Sequence, residues 1–305
     1  VDGGGRSRSR GRLRPRTHLV RTAEDAPVLN FVLVVLPLAL LVLGLPIFLV
    51  LLTTSVVVLL FFLDVPTIII HQQMFGSIDK FALLAVPFFI FAGEIMGRGG
   101  VSKRLLDWVA SMIGGMRGSL PLTAVGTATV FGAISGSTAA TVAAVGSIMY
   151  KPLRDAGYSE RFASGTLTSS GAIANIIPPS IAMILYGFAT ETSVVQLFAA
   201  GIVPGLLLAT MFGIYIYIHA ARSGIGKVDT VSFAKFIAAT RQGAWALGTP
   251  TIILGGIYSG IFSPTEAAGV ACVYAIFVTM VVYRDVSCRE LFDVAAKSVY
   301  LTAQV

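Results

Sequence analysis

Seven long stretches of this chain contain no Asp, Glu, Lys or Arg, and they constrain its fold more than any other feature. A membrane-spanning helix needs about 20 apolar residues; most of the stretches reach that length alone, and Phe81–Gly93 does so once it is extended through Glu94 to Gly97. The stretches are Ala26–Leu63, Phe81–Gly93, Gly118–Tyr150, Phe162–Thr190, Thr192–Ala221, Gln242–Thr265 and Ala267–Tyr283.

Composition agrees with this pattern. Only 12% of the residues are charged, against about 25% in soluble domains, and the mean hydropathy is +0.85. The sequence therefore predicts an all-α polytopic membrane protein. It excludes an ordinary soluble enzyme, and the short alternating segments of a transmembrane β-barrel are not found. Two cysteines are too few for a disulfide scaffold.

The first 25 residues differ from the rest because they carry seven arginines. We assign residues 1–27 to a basic, disordered tail. A patch for anionic lipid or nucleic acid is one alternative reading, and an upstream stretch translated from a misplaced start is another. By the positive-inside rule the basic tail lies in the cytoplasm, whereas the acidic loop from Asp64 to Lys80 lies outside.

One stretch, Gly118–Tyr150, is flanked by basic loops on both sides. A single crossing would place the later basic loop Arg222–Arg241 outside, against the same rule. As one helix its 33 residues would run about 50 Å, well beyond the hydrocarbon core of about 30 Å. These facts predict a re-entrant hairpin that enters and leaves on the same side.

The turn of the predicted hairpin is readable in Gly132–Thr141. Gly136 permits an irregular backbone, and Ser135, Ser137 and Thr138 favour turns and helix caps. Small residues also serve close helix packing, which is the alternative reading.

A second break is predicted in Phe162–Thr190. Pro178 and Pro179 remove two N–H donors and clash with the preceding turn, Asn175 stands just before them, and Ser180 stands just after. A kinked span without further purpose is the alternative. A broken helix exposes carbonyls that suit sodium and N-termini that suit an anionic substrate, as in the binding sites of secondary transporters.

Other features carry less weight. Val101–Met116 is apolar on one helical face and charged on the other, which predicts an interfacial helix. Glu94 and Glu266 are read either as proton carriers or as acids at headgroup level. The three histidines have no metal-ligand spacing, and neither a P-loop nor a nucleophile–His–acid set is evident. The chain is thus predicted not to be an enzyme, with no transition-metal site and no cofactor other than a coupling sodium ion.

Several motifs together resemble the large membrane subunit, DctM-like, of the tripartite ATP-independent periplasmic (TRAP) transporters. They follow one another in the family's order, in a single register from about Leu29 to Asp293. The matching runs are Val86–Trp108, Gly132–Tyr158, Ile176–Gly187, Leu197–Leu208 and Gly255–Ala275.

The resemblance implies an elevator-type ion-transporter fold, in which a transport domain slides against a fixed scaffold in the bacterial inner membrane. It assigns scaffold and interfacial helices to residues 28–117, the hairpin and broken helix of the transport domain to 118–190, and scaffold helices of the second inverted repeat to 191–305. It implies sodium-coupled uptake of a small organic acid, with a small four-helix membrane subunit, a periplasmic solute-binding protein and membrane lipid as partners; nucleic acid is not expected.

By position, the resemblance carries the sodium and substrate site to Ser135, Gly136, Ser137, Thr138, Asn175, Pro178, Pro179 and Ser180. The Arg-rich tail has no counterpart in the family. The family's second hairpin and second broken helix lie beyond Val305, so we expect a C-terminally truncated chain that holds half of the binding site. An inactive fragment, or a non-transporting membrane scaffold, is the alternative.

Overall fold

The computed structural model describes residues 26–63, 65–224 and 232–304. Within these residues it contains thirteen α-helices and no β-strand, which confirms the all-α prediction. Most of the predicted basic tail, residues 1–25, lies outside the described residues, and a helix begins at Ala26. The chain divides into two compact units, Val1–Asp79 and Lys80–Val305.

The first unit contains α1 (Ala26–Val42), α2 (Ile47–Phe61) and α3 (Thr67–Ile78). The second contains α4 (Ala85–Arg98), α5 (Val101–Ile113), α6 (Ser119–Ser135), α7 (Thr138–Asp155), α8 (Glu160–Gly171), α9 (Ile181–Ala189), α10 (Val194–Ser223), α11 (Phe233–Tyr258), α12 (Pro264–Ile276) and α13 (Cys288–Gln304). A 3-10 turn, Phe81–Leu84, leads into α4, and a π-helical segment, Phe277–Val282, continues α12.

Two details of the first unit differ from the sequence-based interpretation. The uncharged stretch Ala26–Leu63 forms two helices rather than one span, because Gly44 adopts a left-handed φ of +78° and Pro46 cannot continue the helix. The segment from Asp64 to Lys80, interpreted as a loop, contains α3, which begins directly after Pro66. Proline is compatible with the start of a helix because its missing N–H would be unpaired there anyway.

The core of the second unit lies between α4 and α12. Phe89, Ile95 and Met96 of α4 are almost fully buried. The facing side of α12 consists of small residues, which lets the two helix backbones approach closely; its buried alanines are Ala267, Ala268, Ala271 and Ala275.

Helix α5 is amphipathic, as the sequence predicted for Val101–Met116. Val101, Leu105 and Val109 are buried, whereas Lys103 and Asp107 are exposed. Its location at a membrane surface stays a prediction.

Three helical segments of the described chain are long and apolar enough to cross a membrane: Phe81–Arg98, Val194–Ser223 and Pro264–Val282. Three shorter apolar helices accompany them, Pro27–Val42, Ile47–Phe61 and Ser119–Ser135. The segment Val194–Ser223 has only 17% of its most apolar window buried, so most residues of that window are at least partly exposed.

Candidate functional site

The predicted hairpin turn is a two-residue break between α6 and α7. Gly136 has a left-handed φ of +60°, and its N–H closes α6 by donating to the Gly132 carbonyl at 2.8 Å. The N–H of Ser137 donates to the Ser135 hydroxyl at 3.2 Å, and the Ser137 hydroxyl accepts from the Ala140 N–H at 3.5 Å. Ser137 therefore caps α7 immediately after α6 ends.

The two helices of this hairpin pack against each other. Buried side chains from both helices form one cluster, with Ala124 and Ala128 on α6 and Val145, Met149 and Leu153 on α7. The two helices are therefore in contact beyond the turn that joins them. The prediction of a turn within Gly132–Thr141 is confirmed, and its position relative to a membrane stays a prediction.

The second predicted break separates α8 from α9. After α8 the chain passes through a 3-10 turn, Ala172–Asn175, and a short segment that contains a cis Pro178–Pro179 bond. Ser180 closes the break: its hydroxyl donates to the Asn175 carbonyl at 2.6 Å and accepts from the Met183 N–H at 3.4 Å. It is the N-cap of α9.

The two breaks meet in space. The Ile181 N–H donates to the Gly136 carbonyl at 3.2 Å, so the first turn of α9 is bonded to the hairpin turn. A Cβ atom on Gly136 would lie 2.6 Å from the Pro179 carbonyl oxygen, and one on Gly132 would lie 2.8 Å from the Ala174 Cα. Only glycine permits this approach of backbone to backbone.

Helix ends of both polarities converge at this contact. Two helices begin here, α7 and α9, and two helical segments end here, α6 and the 3-10 turn. Helix starts carry unpaired N–H groups and partial positive charge, and helix ends carry unpaired carbonyls and partial negative charge. No Asp, Glu, Lys or Arg occurs in either break, Gly132–Thr141 or Thr168–Ser180, so backbone and hydroxyl groups supply the polarity.

One hydroxyl at the hairpin turn has no hydrogen-bond partner in the structure. The Thr138 Oγ1 is buried and unpaired, as are those of Thr127 and Thr141 farther along the hairpin. A buried polar group without a partner costs about 1–3 kcal/mol. Thr138 differs from Thr127 in its position, because it lies at the first turn of α7 beside the converging helix ends.

A cavity of about 360 Å³ opens beside the two breaks. Its lining includes Gly136, Ser137, Thr138, Asn175, Ile181, Ala182, Leu185, Ile90, Glu94 and Gln304. Four of the eight predicted site residues therefore line it. The other four, Ser135, Pro178, Pro179 and Ser180, are buried and are not among its lining residues, and they hold the backbone of the breaks in place.

Sequence reasoning missed part of this cavity wall. The Glu94 side chain is 11% exposed, lines the cavity and lies 2.8 Å from the Lys297 Nζ of α13. Its signal was an acid inside an otherwise apolar span. Glu266, considered together with it, instead forms a capping box with Ser263 at the start of α12. The part of the chain that the structure describes holds no group of three or more His, Cys, Asp or Glu able to bind a metal ion.

Comparison with known families gives the assignment. The family model described as the tripartite ATP-independent periplasmic transporter, DctM component, matches residues 34–305. The chain belongs to this family. It is a family of multi-pass membrane permease components, not of enzymes.

Individual relatives agree. The chain is 45% identical to the C4-dicarboxylate TRAP transporter large permease protein of Pseudomonas aeruginosa, over 75% of this chain and 54% of the relative. It is 43% identical to the ectoine/5-hydroxyectoine TRAP transporter large permease protein of Ruegeria pomeroyi, over 77% of this chain and 55% of the relative. It is 35% identical to the sialic acid TRAP transporter permease protein of Haemophilus influenzae, over 77% of this chain and 38% of the relative. The chain thus spans about half the length of the first two relatives.

Proposed function

We propose that this chain forms the permease part of a secondary transporter that carries a small organic anion into a bacterial cell, with sodium as the coupling ion. The observation that carries the proposal is the contact between the two breaks. Two helix starts and two helix ends converge there without a charged side chain, beside a cavity and an unpaired hydroxyl. Broken helices of secondary transporters use these groups to hold their ions and solutes.

Sodium binds in this proposal at the helix ends. The carbonyls at the ends of α6 and of the Ala172–Asn175 turn supply oxygen atoms. Those of Gly132 and Asn175 already accept one hydrogen bond each and keep a second lone pair, and the unpaired Thr138 hydroxyl adds a further oxygen. A small hard cation prefers such oxygen ligands. An ion there would give Thr138 the partner that it lacks.

The organic anion binds at the helix starts. The N-termini of α7 and α9 both border the cavity, through Ser137, Thr138 and Ile181. The partial positive charge of a helix N-terminus attracts a carboxylate. The relatives are named as transporters of C4-dicarboxylates, sialic acid and ectoine, which supports an organic solute.

The wider organisation belongs to the same proposal. The hairpin and broken helix, residues 118–190, act as part of a transport domain, and residues 28–117 and 191–305 supply scaffold helices of an elevator-type transporter in the inner membrane. The N-terminus is cytoplasmic. A small four-helix membrane subunit and a periplasmic solute-binding protein complete the system, and the exposed α10 offers surface for lipid or the subunit.

Thr138→Val tests the sodium site. The substitution keeps the shape of the side chain and removes only a hydroxyl that has no hydrogen-bond partner, so stability without sodium should stay equal or rise. The rise in melting temperature on adding sodium, which ligand binding produces by mass action, should shrink strongly. Thermal unfolding of the purified permease in sodium and in choline measures both effects.

Thr127→Val is the matched control, because its hydroxyl is also buried and unpaired but lies about two turns before the end of α6. Its sodium-dependent shift in melting temperature should equal that of the wild type. An unchanged shift in Thr138→Val would refute the ion assignment.

Asn175→Ala tests the solute site. It should abolish sodium-driven uptake into proteoliposomes that contain the small subunit and the binding protein, and normal uptake would refute the place of Asn175 in the solute site.

A further inference from the structure

An ion pair joins α4 to α13 at the edge of the cavity. The Lys297 Nζ donates to the Glu94 Oε2 at 2.8 Å, and the two side chains differ in burial: Glu94 is 11% exposed and Lys297 is 48% exposed. Glu94 lies within the apolar span Phe81–Arg98. Ionisable residues in such spans are costly and usually have a function.

A second, smaller cavity of about 200 Å³ adjoins this pair. Its charged lining residues are Glu94, Arg98 and Lys297, two cations and one acid. The remaining wall consists of small residues, namely Gly93 and Gly97 of α4 and Ala140, Ala143, Ala144 and Ser147 of α7. The cavity is smaller than the about 300–1,000 Å³ of drug-sized ligand sites, so its size suits a small anion.

Glu94 belongs to both cavities. It lines the cavity beside the breaks together with Ser137 and Thr138, and it lines the smaller one together with Lys297. Ala140 of α7 is likewise shared by both linings. The two cavities therefore flank the same carboxylate along the same face of the hairpin.

The charges are arranged for exchange. Lys297 is half-exposed on a flexible four-carbon stem, so its ammonium is free to reorient. Arg98 is exposed at the end of α4. Lys297 already binds a carboxylate, that of Glu94, which a ligand carboxylate resembles chemically.

We propose that the smaller cavity binds small organic carboxylates through Lys297 and Arg98, and that Glu94 is an internal competitor which occupies Lys297 until the ligand replaces it. The inference rests on the proposed function in that the bound anion is the transported class. The smaller cavity is thus a second anion site beside the one proposed at the starts of α7 and α9, and competition by Glu94 keeps binding at this second site weak.

Radiolabelled succinate serves as the probe, in equilibrium binding to the purified permease complex in phosphatidylcholine nanodiscs. Lys297→Gln removes a charge-assisted hydrogen bond, worth about 1.5–3 kcal/mol, and should weaken binding about tenfold or more. Arg98→Gln should weaken binding as well. Lys297→Arg keeps the charge and should restore most of the affinity.

The direction in which Glu94→Gln changes the affinity for succinate distinguishes a competitor from a purely structural ion pair. The substitution removes the competitor and should tighten succinate binding severalfold, whereas a purely structural ion pair would make both Glu94→Gln and Lys297→Gln weaken binding. Lys151→Gln is the matched control, because Lys151 is an exposed cation of α7 that is not among the residues lining either cavity. Its affinity should equal that of the wild type.

Three results would overturn the inference: weaker binding in Glu94→Gln, unchanged binding in Lys297→Gln, or no succinate binding by the wild type. Loss of succinate binding when phosphatidylglycerol is added to the nanodiscs would also overturn it, since the cavity would then be a lipid headgroup site. Sodium-driven uptake is measured separately. If uptake fails while the binding pattern holds, the transport proposal falls and the anion site stands.

Discussion

The two breaks lead into the following helix through the same kind of serine cap, but the chain reaches that cap by different routes. Ser137 and Ser180 cap their helices with nearly identical backbones, at φ −127°, ψ 125° and φ −127°, ψ 129°. Before its cap, the hairpin break needs a single left-handed residue, Gly136, whereas the second break needs a 3-10 turn and two prolines. The same cap geometry thus follows one flexible glycine in the hairpin break, and two conformationally restricted prolines in the second break.

Their surroundings differ too. Ser137 and Thr138 are partly exposed and line the cavity, whereas Pro178, Pro179 and Ser180 are buried. The second break is also covered by α10: a Cβ on Gly201 would overlap the Ile176 carbonyl oxygen and lie 2.5 Å from the Met183 Cε. The hairpin turn therefore presents groups to the cavity, and the second break forms the buried surface against which that turn packs.

The largest effect is expected at the glycine of the hairpin turn. Gly136→Ala forces a left-handed residue, which costs about 1–2 kcal/mol, and places its Cβ 2.6 Å from the Pro179 carbonyl oxygen. Together with overpacking of about 1–3 kcal/mol, unfolding in SDS should become easier by about 3 kcal/mol. Gly146→Ala, on α7 with no atom within 4 Å of its Cβ, should leave stability equal or higher. Equal stability of both variants would contradict the proposed contact.

A smaller effect is expected where α10 covers the second break. Gly201→Ala should lower the unfolding free energy by about 2 kcal/mol, because its Cβ meets a backbone oxygen that cannot move aside alone. Gly213→Ala on the same helix has its nearest neighbour at 3.7 Å, the Leu122 Cδ2, and should have no cost. The same SDS titration compares them, and a Gly201 variant as stable as the Gly213 variant would show that α10 does not confine the break.

The two caps should differ in strength. Ser180→Ala loses two partly buried hydrogen bonds, to the Asn175 carbonyl and from the Met183 N–H, and should cost about 1–2 kcal/mol. Ser137→Ala loses one longer bond, from the Ala140 N–H at 3.5 Å, and should cost about 0.5 kcal/mol. Thermal unfolding ranks them, and the reverse order would mean that the hairpin turn is the more rigid break.

The smallest effect on stability is expected at Asn175. Its backbone carbonyl binds Ser180, but its side chain is exposed to the cavity. Asn175→Ala should therefore change the unfolding free energy by less than about 0.5 kcal/mol. A loss of several kcal/mol would indicate a structural role for the amide instead of the proposed contact with solute.

The sequence predicted the two helix breaks, because each break is determined by a few neighbouring residues. The Gly136 turn and the Pro178–Pro179 break follow from residues that cannot continue a helix, and both are observed. The division of Ala26–Leu63 depends on residues of the same kind, Gly44 and Pro46, which the sequence-based interpretation did not use.

Contacts between residues that are far apart in the sequence could not be predicted from such local patterns. Gly136 and Ile181 are 45 positions apart, and Glu94 and Lys297 are 203 apart. Neither pair shows a spacing or periodicity that would join it. The resemblance to a family placed the two breaks in one site, whereas nothing in the sequence associated Glu94 with Lys297.

The bond from the Ile181 N–H to the Gly136 carbonyl influences which residues near the cavity can be substituted during evolution. Main-chain atoms make this joint, and at position 181 proline alone among the amino acids would remove the N–H donor. Residues such as Ala182 and Leu185, which border the cavity, are then open to change without loosening the joint. In the proposed transporter, solute preference can change through residues of the cavity wall while this main-chain contact is kept.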